Sequence, residues 1–453
     1  TETVFNDDSK DLDFRVESNG VTDALFVDGG NNQVQIGTGA DLVTNTAGTS
    51  NVRVGVNAGN SIQSGGNQNT VIGDEAGTAI TTGDGNSLVG KDAGRLITTG
   101  QYNTTVGFDS LENTTTANDN TAMGYYSLQA NTTGASNAAF GRQALANTTG
   151  HSHTAVGFEA LSANTTATEN SAFGYQSLKA NTSGTGNTGL GRKTLFSNTS
   201  GGQLVAVGQG ALLNNTSGNY NVAVGYDSLL TNTTGTNNAA MGYHSLTANT
   251  TGSQNVAVGM EAGKSNTTGF GSTLVGYQAG YSATAGSGND SNNTYIGRKA
   301  GYTTTTAANN TAVGYDSLLA NTTGTRNVAV GALALDANTT ASNNNAVGYS
   351  ALGANTTGGG NQAFGDSALA ANTTAGNNTA MGNFAMSANT TGTVNTAVGA
   401  EALDANTTGS NNIALGYHSL SSNTTGGANV GIGRGALFSN TTANHNTAVG
   451  YLS

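Results

Sequence analysis

The chain has 453 residues, of which 9% are charged, 35% are hydrophobic and 68 are glycine, while proline, cysteine and tryptophan are absent. The formal net charge of −12, with 14 scattered basic residues, argues against nucleic-acid binding, which needs clustered lysine and arginine. No apolar run approaches the roughly 18 residues of a membrane-spanning helix. We therefore expect neither nucleic acid as a partner nor insertion into a membrane.

The first 37 residues differ from the rest and predict a small β module. Apolar and polar residues alternate in three runs, Leu12–Val16, Ala24–Val27 and Val34–Ile36, which are separated by glycine-containing turns. An antiparallel or meandering arrangement of three strands would protect the open strand edges of a following β structure. Residues 1–37 are therefore predicted to be a cap or connector.

Beyond this module the sequence repeats with a period of 17 residues, marked by the glycine that ends motifs such as N-T-A-V-G at Asn310 to Gly314. A fixed period predicts a stack of similar coils instead of several globular domains, and apolar positions in constant register disfavour disorder. Three steps between marker glycines differ in length: Gly55 to Gly73 is 18 residues, Gly141 to Gly157 is 16, and Gly276 to Gly297 is 21.

Two zones of coils are distinguishable. Residues 38–107 are transition coils, in which I-T-T-G at Ile80 and Ile97 replaces the A-N-T-T-G of later coils. Residues 108–453 form a regular shaft with a loop insertion at 280–293.

One 17-residue unit is too small to bury its own apolar residues. The N-T-A-V-G motif predicts a short strand and a turn, whereas D-S-L-L-A fits either a turn or a short helical turn. Stacking at the strand spacing of about 4.8 Å would bury the recurring leucine and the residue before the marker glycine. The fold class predicted is all-β, a parallel β-solenoid of about 24 coils. Its predicted core includes Leu128, Leu178, Leu229, Leu318, Val313 and Val330.

Asparagine forms two further columns, one four residues before the marker glycine and one before the paired threonines. Amide side chains stacked at strand spacing can hydrogen-bond to one another along the axis. Members of these predicted ladders include Asn120, Asn131, Asn164, Asn181, Asn232, Asn310, Asn321, Asn327 and Asn338, and the second column also includes Asn147.

The same residues permit two other interpretations. N-T-T and N-T-S are acceptors for N-glycosylation. Threonines arranged in regular rows at coil spacing could also bind ice, although the paired threonines fall at a predicted corner instead of a flat face. Both are kept as alternatives to a purely structural column.

No catalytic, cofactor or metal site is predicted. The five histidines lack metal-ligand spacing, and the acidic residues of the shaft occur mostly one to a coil, although stacking could pair two carboxylates. The aromatic column after the marker glycine fits a packing stripe or a platform for sugars. Loops in the coils of 16 and 21 residues are candidate receptor contacts, namely His151, His153, Asn289, Asp290 and Asn292.

The S/N-x-A-V/I-G strand with a small-residue turn resembles the head repeats of trimeric autotransporter adhesins, which form a β-roll with a shorter coil. Three N-terminal motifs precede the N-T-A-V-G-Y-x-S-L-x-A-N-T-T-G arrays: D-F-R-V-E-S at Asp13 to Ser18, A-L-F-V-D at Ala24 to Asp28 and N-N-Q-V-Q-I-G at Asn31 to Gly37. This combination is similar to bacteriophage tail fibres and related virion appendages. This resemblance implies a homotrimeric shaft.

We therefore expect a structural fibre on a virion surface or otherwise outside the cell, and no enzyme. Its partners would be further copies of itself, a cell-surface receptor such as a glycan, and other virion or filament subunits at its ends. The alternatives are a bacterial surface adhesin or self-assembling extracellular filament and, ranked lower, an ice-binding solenoid.

Overall fold

The computed structural model describes the strands within residues 14–35 by their backbone, and residues 47–284 and 291–453 in full. Within these parts the protein is all-β, a parallel β-solenoid with a 17-residue repeat. This confirms the predicted fold class. Two compact units are present, Thr1–Asn137 and Ala138–Ser453.

The first unit begins with three strands, β1 (Phe14–Ser18), β2 (Val21–Asp28) and β3 (Gln33–Gln35). They pair antiparallel in the order β1-β2-β3, as in the meander predicted from the alternating runs. The role of this sheet as a cap remains a prediction.

The solenoid coils of the first unit each carry one three-residue strand. Successive strands pair in parallel, for example Thr70 with Ser87 and Thr104 with Thr121. The strands are β4 (Val52–Val54), β5 (Thr70–Ile72), β6 (Ser87–Val89), β7 (Thr104–Val106) and β8 (Thr121–Met123).

The second unit continues the same pattern with one strand per coil and parallel pairing throughout. Its strands are β9 (Ala138–Phe140), β10 (Thr154–Val156), β11 (Ser171–Phe173), β12 (Thr188–Leu190), β13 (Val205–Val207), β14 (Val222–Val224), β15 (Ala239–Met241), β16 (Val256–Val258), β17 (Thr273–Val275), β18 (Thr294–Ile296), β19 (Thr311–Val313), β20 (Val328–Val330), β21 (Asn345–Val347), β22 (Gln362–Phe364), β23 (Thr379–Met381), β24 (Thr396–Val398), β25 (Ile413–Leu415), β26 (Val430–Ile432) and β27 (Thr447–Val449).

The three irregular steps are absorbed without loss of strand register. Val52 pairs with Thr70 across the 18-residue step, Ala138 lies opposite Thr154 across the 16-residue step, and Thr273 pairs with Thr294 across the 21-residue step. The length changes therefore fall in the turns.

Corners of the coil are made by residues in left-handed backbone conformations. In the coil that contains β19, φ is 51° at Asp316 and 53° at Leu318, and 56° at Arg326 before the next strand, while the marker Gly314 has φ of 138°. These tight turns resolve the D-S-L-L-A segment as turn, since the described residues contain no helix.

The core is narrow and lies between the strand and the leucine turn. Ala312, Ser317 and Leu318 are fully buried, as are the equivalents of Leu318 at Leu128, Leu178 and Leu229.

Val313 and Val330, which the sequence predicted to be core residues, are only half-buried, and that prediction is wrong. Side chains alternate across a strand. Because the middle residue Ala312 points inward, its neighbours on both sides point outward.

Candidate assembly face

The first and third residues of β9 to β27 form an outward surface, which we call the strand face. The third position is hydrophobic in all of these strands, and neither position is charged in any of them. Exposed fractions at the third position are 49% at Leu190, 47% at Met241 and 45% at Met381, and the fraction rises to 69% at Val449 in the last coil. The strand face therefore carries an apolar row of third positions at every coil, beside an uncharged row of first positions in which threonine is the commonest residue.

The first unit has an outward strand surface of the same kind, described here by itself. Val54, Ile72, Val106 and Met123 occupy four of its five third positions and are between 37% and 50% exposed, while Val89 in the fifth is half-buried. Its first positions are valine, threonine or serine.

Beside the strand face of the second unit runs the column of residues that directly follow the marker glycines. Phe158 and Tyr175 stack with ring centroids 5.4 Å apart and an interplanar angle of 10°. The guanidinium of Arg142 lies 5.6 Å from the Phe158 ring, and that of Arg192 lies 5.9 Å from the Tyr175 ring.

Similar contacts recur in this column, since Arg298 lies over Tyr315 and Arg434 lies near both Tyr417 and Tyr451. Where rings stack in this way, their flat faces are covered by neighbours along the axis. This geometry favours the packing interpretation of the aromatic column over a platform on which sugars stack.

The asparagine column four residues before the marker glycine forms a strand-side ladder inside the coil. In the second unit, Oδ1 of Asn310 accepts the backbone N–H of Asn327 at 2.9 Å, and Nδ2 of Asn310 donates to Gly324 O at 2.9 Å. In the first unit, Asn103 and Asn120 make the corresponding contact at 3.1 Å. Each amide thus ties its own coil to the next.

The second column forms a turn-side ladder, in which side chains bond to one another between coils and to a backbone carbonyl within their own coil. Nδ2 of Asn338 donates to Oδ1 of Asn321 at 2.9 Å and to Ala341 O at 3.1 Å. The same pattern links Asn181 to Asn164 and Asn232 to Asn215. Asn131, in the first unit, donates to Thr114 Oγ1 and Gly134 O. These residues are all fully buried.

Burial of the turn-side ladder also bears on the glycosylation sequons. The acceptor atom in a sequon is Nδ2, which in Asn338 makes two hydrogen bonds, and Asn338 is fully buried, as are the ladder members Asn181 and Asn232. Once the coil has formed, these buried amides are unavailable for modification, whereas the sequon at Asn147 lies at the surface.

In most coils the threonine after the turn-side asparagine is likewise occupied, because its hydroxyl donates to a carbonyl of the next coil. Thr322 Oγ1, for example, lies 3.0 Å from Thr339 O. The following residue, Thr323, is the exposed member of the pair. A single exposed threonine column at a corner gives the ice-binding alternative little support.

The 16-residue coil interrupts both ladders, and here two sequence predictions are wrong. Asn147 is exposed, and Thr148 takes its place in the turn-side ladder by accepting Nδ2 of Asn164 at 2.8 Å. His153 was predicted to be a receptor contact but is 1% exposed. It replaces asparagine in the strand-side ladder, where the shortened turn positions it.

The ring of His153 is bonded on both sides. Its Nδ1 accepts the backbone N–H of Asn170 at 3.2 Å, and its Nε2 lies 2.7 Å from Ala167 O. Burial lowers the pKa of His153.

The other candidate contact residues differ in placement. His151 and Asn292 are exposed, and the backbone N–H of Asn292 donates to Phe270 O at 3.2 Å. Asn289 and Asp290 lie outside the described residues.

Titratable side chains lie mainly along the leucine turn, close to one another in neighbouring coils. Lys179 pairs with Glu159 at 2.7 Å, and this hydrogen bond lowers the pKa of Glu159. His418 lies 3.3 Å from Glu401, and burial raises the pKa of Asp404 in the same region. Within the described residues, no group of three or more such side chains is arranged to hold a metal ion.

A comparison with protein-family models finds none that matches this chain, and a comparison with curated proteins finds no match either. In the parts of the chain that the structure describes, there is no helix with the length and apolar character needed to cross a membrane.

Proposed function

We propose that this protein is the shaft of a structural extracellular fibre, similar to a phage tail fibre, that serves as a rigid spacer and attachment element. The observation that carries the proposal is the strand face, a charge-free surface whose row of apolar third positions is repeated at every coil of the second unit. Exposed stripes of this extent mark interaction surfaces. A surface with this regular spacing is best matched by another copy of the same chain.

Rigidity of the shaft is supported by the two asparagine ladders. Each coil is tied to the next by strand hydrogen bonds and by amide contacts such as Asn338 to Asn321. A buried hydrogen bond contributes about 1 kcal/mol. Repetition of these contacts along a solenoid makes local bending costly, since bending would break several contacts in each coil.

A homotrimer is the assembly that we propose. The core of one coil consists largely of alanine, leucine and asparagine, while larger residues such as Phe173 and Met381 stay exposed on the strand face. Closed symmetry around an axis would cover these residues in every chain. Partners at the ends and a cell-surface receptor such as a glycan complete this proposal.

Light scattering at two protein concentrations tests the assembly. A mass that stays near three chains at both concentrations supports the closed trimeric shaft. A mass that grows with concentration would replace it with an open filament, the second candidate, for which a repetitive apolar face is equally suited. A stable monomer would contradict both.

A further inference from the structure

His153 is the histidine that replaces asparagine in the strand-side ladder of the second unit. In the next coil the equivalent contact is made by an asparagine, since Oδ1 of Asn170 accepts the N–H of Asn187 at 2.8 Å. An amide oxygen accepts this bond at any pH, whereas an imidazole nitrogen accepts it only when it carries no proton. One coil of the ladder is therefore titratable.

The two backbone partners of the ring define its neutral form; Nδ2 of Asn164 also lies 3.0 Å from Nε2, but it donates to Thr148 Oγ1 and shares Ala167 O with the ring. Ala167 O can only accept, so Nε2 carries the hydrogen, and the N–H of Asn170 can only donate, so Nδ1 is the acceptor. Protonation would place a second hydrogen on Nδ1 directly opposite the Asn170 N–H. Two donors would then face each other in a site that water does not reach.

The groups packed around the ring offer no compensating charge. Asn164, Ala167 and Asn170 are neutral, and the titratable neighbour that acts on the ring is His151, whose positive charge would oppose a second one. The same coil also has the interrupted turn-side ladder, with Thr148 in place of an asparagine. Both kinds of side-chain connection are thus altered in one turn of the solenoid.

We propose that the 16-residue coil is an acid-sensitive joint, in which protonation of His153 opens this coil locally while the regular coils after it stay closed. The direction follows from linkage. The pKa of His153 is lowered in the folded protein, so the neutral ring contributes fully to the stability of the coil above the ordinary histidine value of about 6.5. This stability is lost as the pH falls from about 6.5 toward the pKa that His153 has in the folded protein. This inference does not rest on the proposed fibre function.

Amide hydrogen exchange on the full chain at pH 7.5 and pH 5.0, corrected for the intrinsic exchange rate, tests the proposal. We expect protection of the Asn170 amide to fall at least tenfold on acidification, while that of Asn187 changes less than twofold. His153→Asn restores the residue found in most coils and should abolish the fall. His151→Asn removes an exposed histidine two residues away and should retain it.

Equal protection of Asn170 at both pH values in the unaltered protein, or a fall that persists in His153→Asn, would overturn the proposal. If His153→Asn does not fold, ring 15N NMR of the unaltered protein decides. A protonated Nδ1 that appears together with loss of Asn170 protection supports the joint, whereas protonation without that loss contradicts it. Light scattering at both pH values separates local opening from dissociation of an assembly.

Discussion

The ring of Tyr295 occupies the space that a leucine fills in other coils, and Gly301 makes room for it. A methyl group on Gly301 would lie 2.5 Å from Cε2 of Tyr295. In the next coil the two equivalent positions hold Ala312 and Leu318. The core volume of a coil is thus divided between two positions six residues apart, and a large residue at one requires a small residue at the other.

Because the two positions share one space, substitutions at Tyr295 and Gly301 that each destabilise the coil should compensate for one another when combined. Tyr295→Ala should leave a cavity and cost about 3–5 kcal/mol of unfolding free energy. Gly301→Leu should overpack the same space and cost about 1–3 kcal/mol or more. The double variant recreates the Ala–Leu pair of the next coil, and its backbone is suited to it, because Gly301 has φ of 60° and Leu318 has 53°.

Chemical denaturation of the four proteins measures the effect as a double-mutant cycle. We expect the double variant to be more stable than either single variant. Additive losses would show that the two positions do not share one space.

The marker glycine should be far less replaceable than the turn glycine in the same coil. A Cβ on Gly314, where φ is 138°, would lie 2.5 Å from Gly331 O and 2.6 Å from Gly331 C. Because these atoms belong to the backbone of the paired coil, Gly314→Ala should cost about 3 kcal/mol or more through strain and loss of pairing.

Gly324→Ala is the matched control. Its added Cβ would also lie close to a carbonyl, that of Ala341, but alanine already stands in this column at Ala307, Ala341 and Ala375. Thermal unfolding should place this variant within about 1 kcal/mol of the parent. Equal losses in the two alanine variants would contradict the distinction.

Charge on the strand face should prevent self-association. Val313→Lys combined with Val330→Lys places two ammonium groups on adjacent strands of this face, where burial in an interface would cost several kcal/mol. Because both side chains point outward, the coil itself should fold. Light scattering should then report a lower particle mass than for the parent.

Thr323→Lys combined with Thr340→Lys adds the same charge to the exposed turn column and should leave the mass unchanged. If both pairs lower the mass equally, net charge and not the strand face governs association.

Asn338 should contribute to stability as a member of the turn-side ladder. Asn338→Ala removes its bonds to Asn321 Oδ1 and Ala341 O, and it deprives Nδ2 of Asn355 of an acceptor at 3.0 Å. Buried polar groups left without partners make a loss of about 2–3 kcal/mol the expected result. Asn147→Ala alters an exposed asparagine outside the ladder, whose Nδ2 donates to Ser162 O at 2.8 Å. Because water can replace this exposed bond, stability should change by less than about 1 kcal/mol in the same denaturation experiment.

The period, the strands and the buried leucines could be predicted because they depend on spacing alone. The misplacement of Val313 shows where spacing was applied incompletely. Asn310 and Ala312 are two residues apart and therefore share a strand face, so burial of the asparagine places the alanine inside and the valine outside. The outward position of Val313 can therefore be derived from the sequence by alternation, whereas the hydrophobicity of valine alone favours burial.

Other features could not be obtained in this way. The left-handed conformation of Leu318 is unusual for a residue other than glycine and is imposed by the tight turn and the neighbouring coil. The burial of His153 depends on the loss of one residue in its coil, and a sequence alone does not indicate which side of the turn absorbs that loss. The strand face is recognisable only once the structure shows that the third residues of all the strands point outward.

The pairing of each coil with its immediate neighbour has a consequence for how such a chain acquires its structure. Strand contacts span about one repeat, as from Thr311 to Val328, wherever they occur within a unit. The entropy lost on closing each successive loop is therefore nearly constant and does not increase with chain length. Folding of each unit can spread coil by coil from a single nucleus, and added repeats lengthen the protein without making it slower to nucleate.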